Sequence, residues 1–204
     1  MSGQLILAVS REFGSGGHEI ARTLAEDFGL PLYEENILNK IAEDRGVDPA
    51  RLAPYDELPK NRLIYRTVSG FSNSPEHAVA QMQFQYLKER AAMGESFVVL
   101  GRCAEEVLKG SPGLITMFVL ADLPFKTERT MLRGPISEKE AVALIAYKDR
   151  KRKTYHNQFC KGKWGEAKNY DITINSGRLG VQGTVGILEE YIRARTGSAA
   201  APAS

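Results

Sequence analysis

The sequence predicts a doubly wound α/β fold, a mainly parallel central sheet covered by helices. Three observations carry this expectation. The runs Leu5-Ile6-Leu7-Ala8-Val9 and Phe97-Val98-Val99-Leu100 are continuously apolar, and Ile115 to Leu120 is apolar but for Thr116, as strands buried on both faces are. Stretches of helical period separate them, which is the order that builds a parallel sheet. The first run ends in a glycine-rich turn that opens directly into a helical pattern.

After that turn, Ile20, Leu24 and Phe28 recur every four positions with Ala21 and Ala25 beside them, and Gly29-Leu30-Pro31 stops the helix. Pro31 to Tyr33 reads as a short strand. A helix carrying Ile37, Leu38, Ile41 and Ala42 follows and ends at Gly46. Prolines 49, 54 and 59 with Gly70 break residues 46 to 74 into short helices and loops. Ser74-Pro75 reads as an N-cap followed by proline at the first helical position, opening a helix to about Met93. The strand from Ile115 leads through Asp122 into a helix expected to contain both Arg129 and Arg133. Ile136-Ser137-Glu138-Lys139-Glu140 carries a capping box and a staple, so a long helix starts there. Tyr170 to Ile174 supplies a last strand, and Val185, Leu188 and Ile192 mark a closing helix before an Ala/Ser/Pro tail.

The whole chain, 1–204, is expected to form one domain, with a substrate-covering segment at 46–93 and a basic lid region at 129–165. No apolar run is long enough to span a bilayer, and no basic segment precedes an apolar stretch at the N-terminus. A cytoplasmic location is the expectation. Cys103 and Cys160 form no disulfide framework, and the three histidines, His18, His77 and His156, show no metal-ligand spacing. Nothing in the pattern specifies an oligomeric state.

Ser10-Arg11-Glu12-Phe13-Gly14-Ser15-Gly16-Gly17-His18-Glu19 lies between strand and helix, where an anion meets open backbone amides and the positive end of a helix dipole. Gly14, Gly16 and Gly17 allow tight turns there. The run lacks the Gly-Lys-Ser/Thr of the standard phosphate loop, and Gly17 stands at the lysine position. Arg11 is the candidate to replace that charge, with a different geometry. Ser10 and Ser15 are alternative groups to approach magnesium-bound water, so the metal ligand stays open. Glu12 and Glu19 read first as solvated carboxylates, with a metal or structural role as the alternative. A plain tight turn and a dinucleotide fingerprint are the competing readings of the glycines; the fingerprint spacing is absent and Asp27 comes too early.

Ligands of parallel α/β sheets meet the carboxyl ends of the strands, and Arg102 follows the Phe97-Leu100 strand and Gly101. Its planar fork suits an acceptor phosphate. Arg129 and Arg133 are four apart, as are Lys148 and Arg152, and Asp149 and Lys153; Arg150 lies on another side of its helix. This basic stretch reads as phosphate contact against the alternative of a solvated face. Direct nucleic-acid binding through the basic cluster and Trp164 is the lesser reading.

The combination of Val9-Ser10-Arg11-Glu12-Phe13-Gly14-Ser15-Gly16-Gly17, Val99-Leu100-Gly101-Arg102-Cys103, Phe118-Val119-Leu120-Ala121 with Arg129, and Tyr155 with Trp164-Gly165 and Tyr170-Asp171-Ile172-Thr173-Ile174-Asn175 resembles the cytidylate kinase-like family. The resemblance covers roughly residues 4 to 192. It implies a P-loop kinase-like three-layer sandwich with a helical lid, and Mg2+-dependent transfer of the ATP γ-phosphate to a nucleoside monophosphate, with CMP or dCMP leading. On this basis Arg11, Arg102, Arg129 and Arg150 are the candidate catalytic residues. Ser10, Gly14, Ser15, Gly16, Gly17, His18, Arg133, Arg152 and Lys153 are the candidate phosphate-binding set. The family's loop lysine and the aspartate after its acceptor arginine are Gly17 and Cys103 here. A kinase for another small phosphoacceptor and a nucleotide-binding regulatory protein with little turnover are the alternatives.

Overall fold

Ile6–Arg11 forms β1, and its alternating side chains enter two different cores. Leu7 and Val9 face one helical layer, while Ile6 and Ala8 face the other. That is the physical meaning of an apolar run without polar alternation: both faces of the strand are dry. The protein, represented by a computed structural model, is described for residues 3–34, 37–45, 67–68, 71–72 and 75–197.

β1 leads through the glycine turn into α1 (Gly17–Asp27), then β2 (Leu32–Tyr33) and α2 (Ile37–Arg45). A short antiparallel hairpin joins β3 (Thr67–Val68) and β4 (Phe71–Ser72). Next come α3 (Pro75–Ala92), β5 (Phe97–Leu100), the short α4 (Ala104–Val107), β6 (Leu114–Leu120) and α5 (Leu123–Met131). The long α6 (Glu138–Phe159), a 3-10 turn at Ala167–Asn169, β7 (Ile172–Asn175) and α7 (Ser176–Thr196) complete the described chain. Pro75 opens α3 as expected; Ser74 and most of 46–74 lie outside the described residues.

The main sheet has five strands in the order β2-β5-β1-β6-β7, all paired in parallel. One core joins its first face to α1 and α7 through Ile20, Leu24, Val185, Leu188 and Ile192. The opposite core takes Tyr33, Ile37, Ile41, Val79 and Leu87 with Phe97 and Val99. The expected three-layer P-loop kinase-like sandwich is therefore the observed fold. The chain crosses from β5 on one side of β1 to β6 on the other, which opens a crevice at the carboxyl end of β1.

Two local details differ from the expectation, and a third, at Gly180, is one it did not address. Helix α5 stops at Met131, so Arg133 lies beyond it and shares no helical face with Arg129. Gly180, at φ 69°, bends α7. The last strand starts at Ile172 because Tyr170 still closes the 3-10 turn. The capping box at Ser137 and Glu140 forms as its sequence indicates. Among the described residues no helix is long and apolar enough to cross a membrane.

Candidate functional site

The carboxyl ends of β1 and β5 and the inner face of α6 enclose a cavity of about 410 Å³. Its floor is the loop from Ser10 to His18. Gly14 and Gly16 take left-handed backbone, φ 81° and 80°, and the loop wraps so tightly that neighbouring groups fill the space where side chains would be. A Cβ built on Gly14 would lie 2.9 Å from the Lys126 carbonyl oxygen, and one on Gly17 2.5 Å from Arg11 Cβ. These glycines thus permit packing beneath the loop as well as the turn itself. The N–H groups of Gly14, Ser15, Gly16 and His18 have no acceptor among the described residues, while Gly17 N–H has only a long contact, 3.4 Å, to Ser15 Oγ. A row of such amides at the start of α1 has the geometry that can receive an anion.

The loop is held from outside the cavity. Ser15 is fully buried, and its hydroxyl donates to the Glu12 carbonyl at 2.9 Å. Phe13 N–H donates to Asp149 Oδ1 at 2.6 Å, and Ser176 Oγ donates to the Ser15 carbonyl. Burial alone would push the Lys126 amine down, but hydrogen bonds and ion pairs to Glu12 and Asp149 hold it above its ordinary value. Glu12 is therefore a structural partner of Lys126, and Glu19 pairs with Arg129 at 2.7 Å.

Cations surround the loop on the cavity side. Arg133 and Arg152 stand over the Phe13 ring at 5.3 and 5.7 Å, and Arg152 Nη1 donates to the Arg11 carbonyl at 3.4 Å. Lys148, Lys151 and Arg152, spaced three and four apart on α6, line the same wall together with Arg11. Across the cavity, Gly101, Arg102 and Cys103 are three consecutive left-handed residues at the end of β5. Such strain in non-glycine residues concentrates at functional sites. Arg102 is only 2% exposed and donates to the Glu34 carbonyl at 3.2 Å.

The cavity lining thus joins Ser10, Arg11, Gly14, Gly16, Gly17, His18, Arg102, Arg133 and Arg152 from the expected set. Ser15 supports the loop from behind. Arg129 turns to Glu19 outside the lining, and Arg150 and Lys153 are exposed on other sides of α6. His18 pairs with Glu34 at 2.7 Å.

One cluster escaped the sequence reading. Glu105, His156 and Cys160 bring one oxygen, one nitrogen and one sulfur within 4.8 Å of one another. Burial would lower the His156 imidazole, yet hydrogen bonds to Cys160 and Glu105 raise it to about 10. A hydrogen bond from Cys103 and another from His156 bring the Cys160 thiol down to about 7, against the effect of burial. The separation of four between His156 and Cys160 was a readable signal, but Glu105 joins them only through the fold.

The fold is that of the P-loop kinases, and with the family match it supports a kinase-type phosphotransferase in general. The chain belongs to the cytidylate kinase-like family, whose model matches residues 6–178. It is 24% identical over 191 residues to the cytidylate kinase of Pyrococcus horikoshii, covering 93% of this chain and 88% of that protein. With the cytidylate kinase of Thermococcus kodakarensis it shares 26% identity over 193 residues, covering 93% and 89% of the two chains. The crystal structure of an uncharacterized protein from Eubacterium ventriosum is 35% identical, with a TM-score of 0.75, and is covered completely by 94% of this chain. A shikimate kinase from Bacteroides thetaiotaomicron, at 13% identity and TM-score 0.55 over 93% of this chain and 98% of that one, shares the fold.

Proposed function

We propose that the protein transfers the γ-phosphoryl group of ATP to a nucleoside monophosphate, with CMP or dCMP the leading acceptors. The observation that carries this reading is the pairing of two anion-holding poles across one cavity: the open amides of Gly14 to Gly16, and the buried guanidinium of Arg102. Membership of the family and the likeness to named cytidylate kinases support the nucleotide acceptor.

In this reading the loop amides bind the donor polyphosphate, and Arg102 orients the acceptor phosphate. Arg11, Arg133 and Arg152 supply charge around the oxygens that become more negative during transfer. A phosphate acceptor is largely ionised at neutral pH, so positioning matters more than a general base. His156 agrees with this, since its Nε2 faces Glu105 and its Nδ1 faces Asn157. Ser10, Glu12 and Glu34 line the cavity wall; one oxygen of Glu12 serves Lys126 and one of Glu34 serves His18, but each carboxylate has a second oxygen, so the set fits Mg2+, a hard cation bound through few protein oxygens. Mg2+ would neutralise phosphate charge there. Arg129, Arg150 and Lys153 act, in this proposal, through the closing lid rather than from the cavity wall.

A kinase for another small phosphoacceptor is the second reading, favoured by Cys103, a thiol rather than a carboxylate after Arg102 at the wall. ADP formation by the purified protein with ATP, Mg2+ and separate nucleoside monophosphates tests both. Turnover with CMP or dCMP above the others is the expected result. Turnover with none of them overturns the nucleotide acceptor, and ATP binding without turnover on any acceptor identifies a regulatory nucleotide-binding protein.

A further inference from the structure

We propose that Glu105, His156 and Cys160 form a zinc site at the edge of the phosphate cavity, which His156 lines, with a donor set distinct from the one Mg2+ takes in phosphoryl transfer. The three ligand atoms lie within 4.8 Å of one another. Zinc bonds of ~2.0–2.3 Å in a tetrahedron put ligand atoms about 3.3–3.8 Å apart, so shifts of roughly an ångström complete the site. The donor set is a thiol, an imidazole and a carboxylate, a combination suited to Zn2+ and foreign to Mg2+.

Two ligands are pre-aligned by local structure. His156 is in the last turn of α6 and Cys160 caps that helix, its N–H donating to the His156 carbonyl at 2.9 Å. The extended backbone at Cys160 turns its thiol toward the His156 ring, so both side chains meet in one place. Glu105 enters from α4, with its side chain 6% exposed against the equally covered His156. The surrounding hydrogen bonds have the pattern that steadies metal ligands. His156 Nδ1 lies 3.2 Å from Asn157 Oδ1, which also accepts the Trp164 N–H at 2.9 Å and leaves Nε2 directed at Glu105. Ser10 Oγ donates to the second oxygen of Glu105 at 3.3 Å. Zn2+ would take the place of the protons shared among the imidazole, carboxylate and thiol, releasing them to solvent. Occupancy would fasten the end of α6 to α4 and, through Ser10, to the phosphate loop.

The test uses tag-free full-length protein, stripped of metal and titrated with Co2+ and then Zn2+. One equivalent of Co2+ is expected to give a thiolate-to-cobalt charge-transfer band with tetrahedral visible bands. One equivalent of Zn2+ should abolish both, and excess Mg2+ should leave them. Cys160→Ser should lose the charge-transfer band, and Glu105→Gln should weaken binding at least tenfold. Asn157→Ala, which removes no ligand, should weaken it about 10- to 100-fold. Absence of the band in wild-type protein overturns the site even if Cys160→Ser fails to fold. An unaltered band and affinity in folded Cys160→Ser overturns it as well. Neither outcome depends on whether the protein phosphorylates CMP.

Discussion

Lys126 Nζ lies 2.9 Å from Glu12 Oε2, so the buried amine of α5 is joined to a carboxylate of the glycine-rich loop itself. The same amine is 3.2 Å from Asp149 Oδ2, whose other oxygen accepts the Phe13 N–H. One cation thereby locks the loop, α5 and α6 together. Its charge is balanced by two carboxylates, so the cavity draws its positive potential from Arg11, Arg133, Arg152 and the lysines of α6.

Lys126→Met should destabilise the protein at pH 7 by about 2–4 kcal/mol, below the largest losses for broken buried pairs because both carboxylates keep some water contact. The folded amine is raised above its unfolded value. Its contribution is therefore fully present below about pH 10 and is lost only as pH rises through the folded value. Urea unfolding at neutral and alkaline pH checks this; an unchanged midpoint at pH 7 would refute the pairing.

Gly14→Ala adds a Cβ 2.9 Å from a backbone carbonyl at φ 81°, where a side chain is already disfavoured. The expected cost is about 1–3 kcal/mol of stability, with weaker ATP binding. Gly17→Ala keeps an ordinary backbone but drives the new methyl into Arg11 Cβ. It should lower kcat/KM more than it lowers the melting temperature, a split visible in parallel kinetics and calorimetry.

Arg102→Lys retains charge and loses the planar fork at a site only 2% exposed. Acceptor KM should rise roughly tenfold or more, equivalent to about 1.4 kcal/mol, while ATP affinity changes little. Equal effects on both substrates in steady-state kinetics would remove Arg102 from the acceptor pole.

Asp171 supplies a pH-dependent contribution far from the cavity chemistry. Burial would raise its carboxyl, but the Thr116 N–H and hydroxyl, both at 2.8 Å, and Arg195 at 3.1 Å hold it below the ordinary range. A depressed folded pKa adds stability above about pH 4 that disappears as pH falls through the folded value. Asp171→Asn should therefore unfold more easily by about 1 kcal/mol at pH 7, with the difference fading in acid. A gap that stays constant down to pH 2 would contradict this.

Much of the sheet was legible because buried parallel strands write their character locally. Leu5 to Val9 and Phe97 to Leu100 are apolar on both faces, and Ser137 with Glu140 announces a helix start within four residues. The glycine turn was equally visible, since left-handed backbone selects glycine at 14 and 16 regardless of distant partners. Helical spacing also separated Arg150 from the Lys148 and Arg152 side of α6. It gave no means to see Arg129 turn to Glu19, because that pairing depends on where α5 packs.

Sequence alone thus determined the alternation of strands and helices, the glycine-rich bend and the store of cations near it, all set by short-range periodicity and backbone sterics. Tertiary structure decided which cations meet the loop, that Lys126 is paired beneath it, and that Glu105, His156 and Cys160 share one place. The reason is the strand order β2-β5-β1-β6-β7: parallel pairing sets Val9 beside Leu100 and Met117, and no local pattern records contacts across such separations.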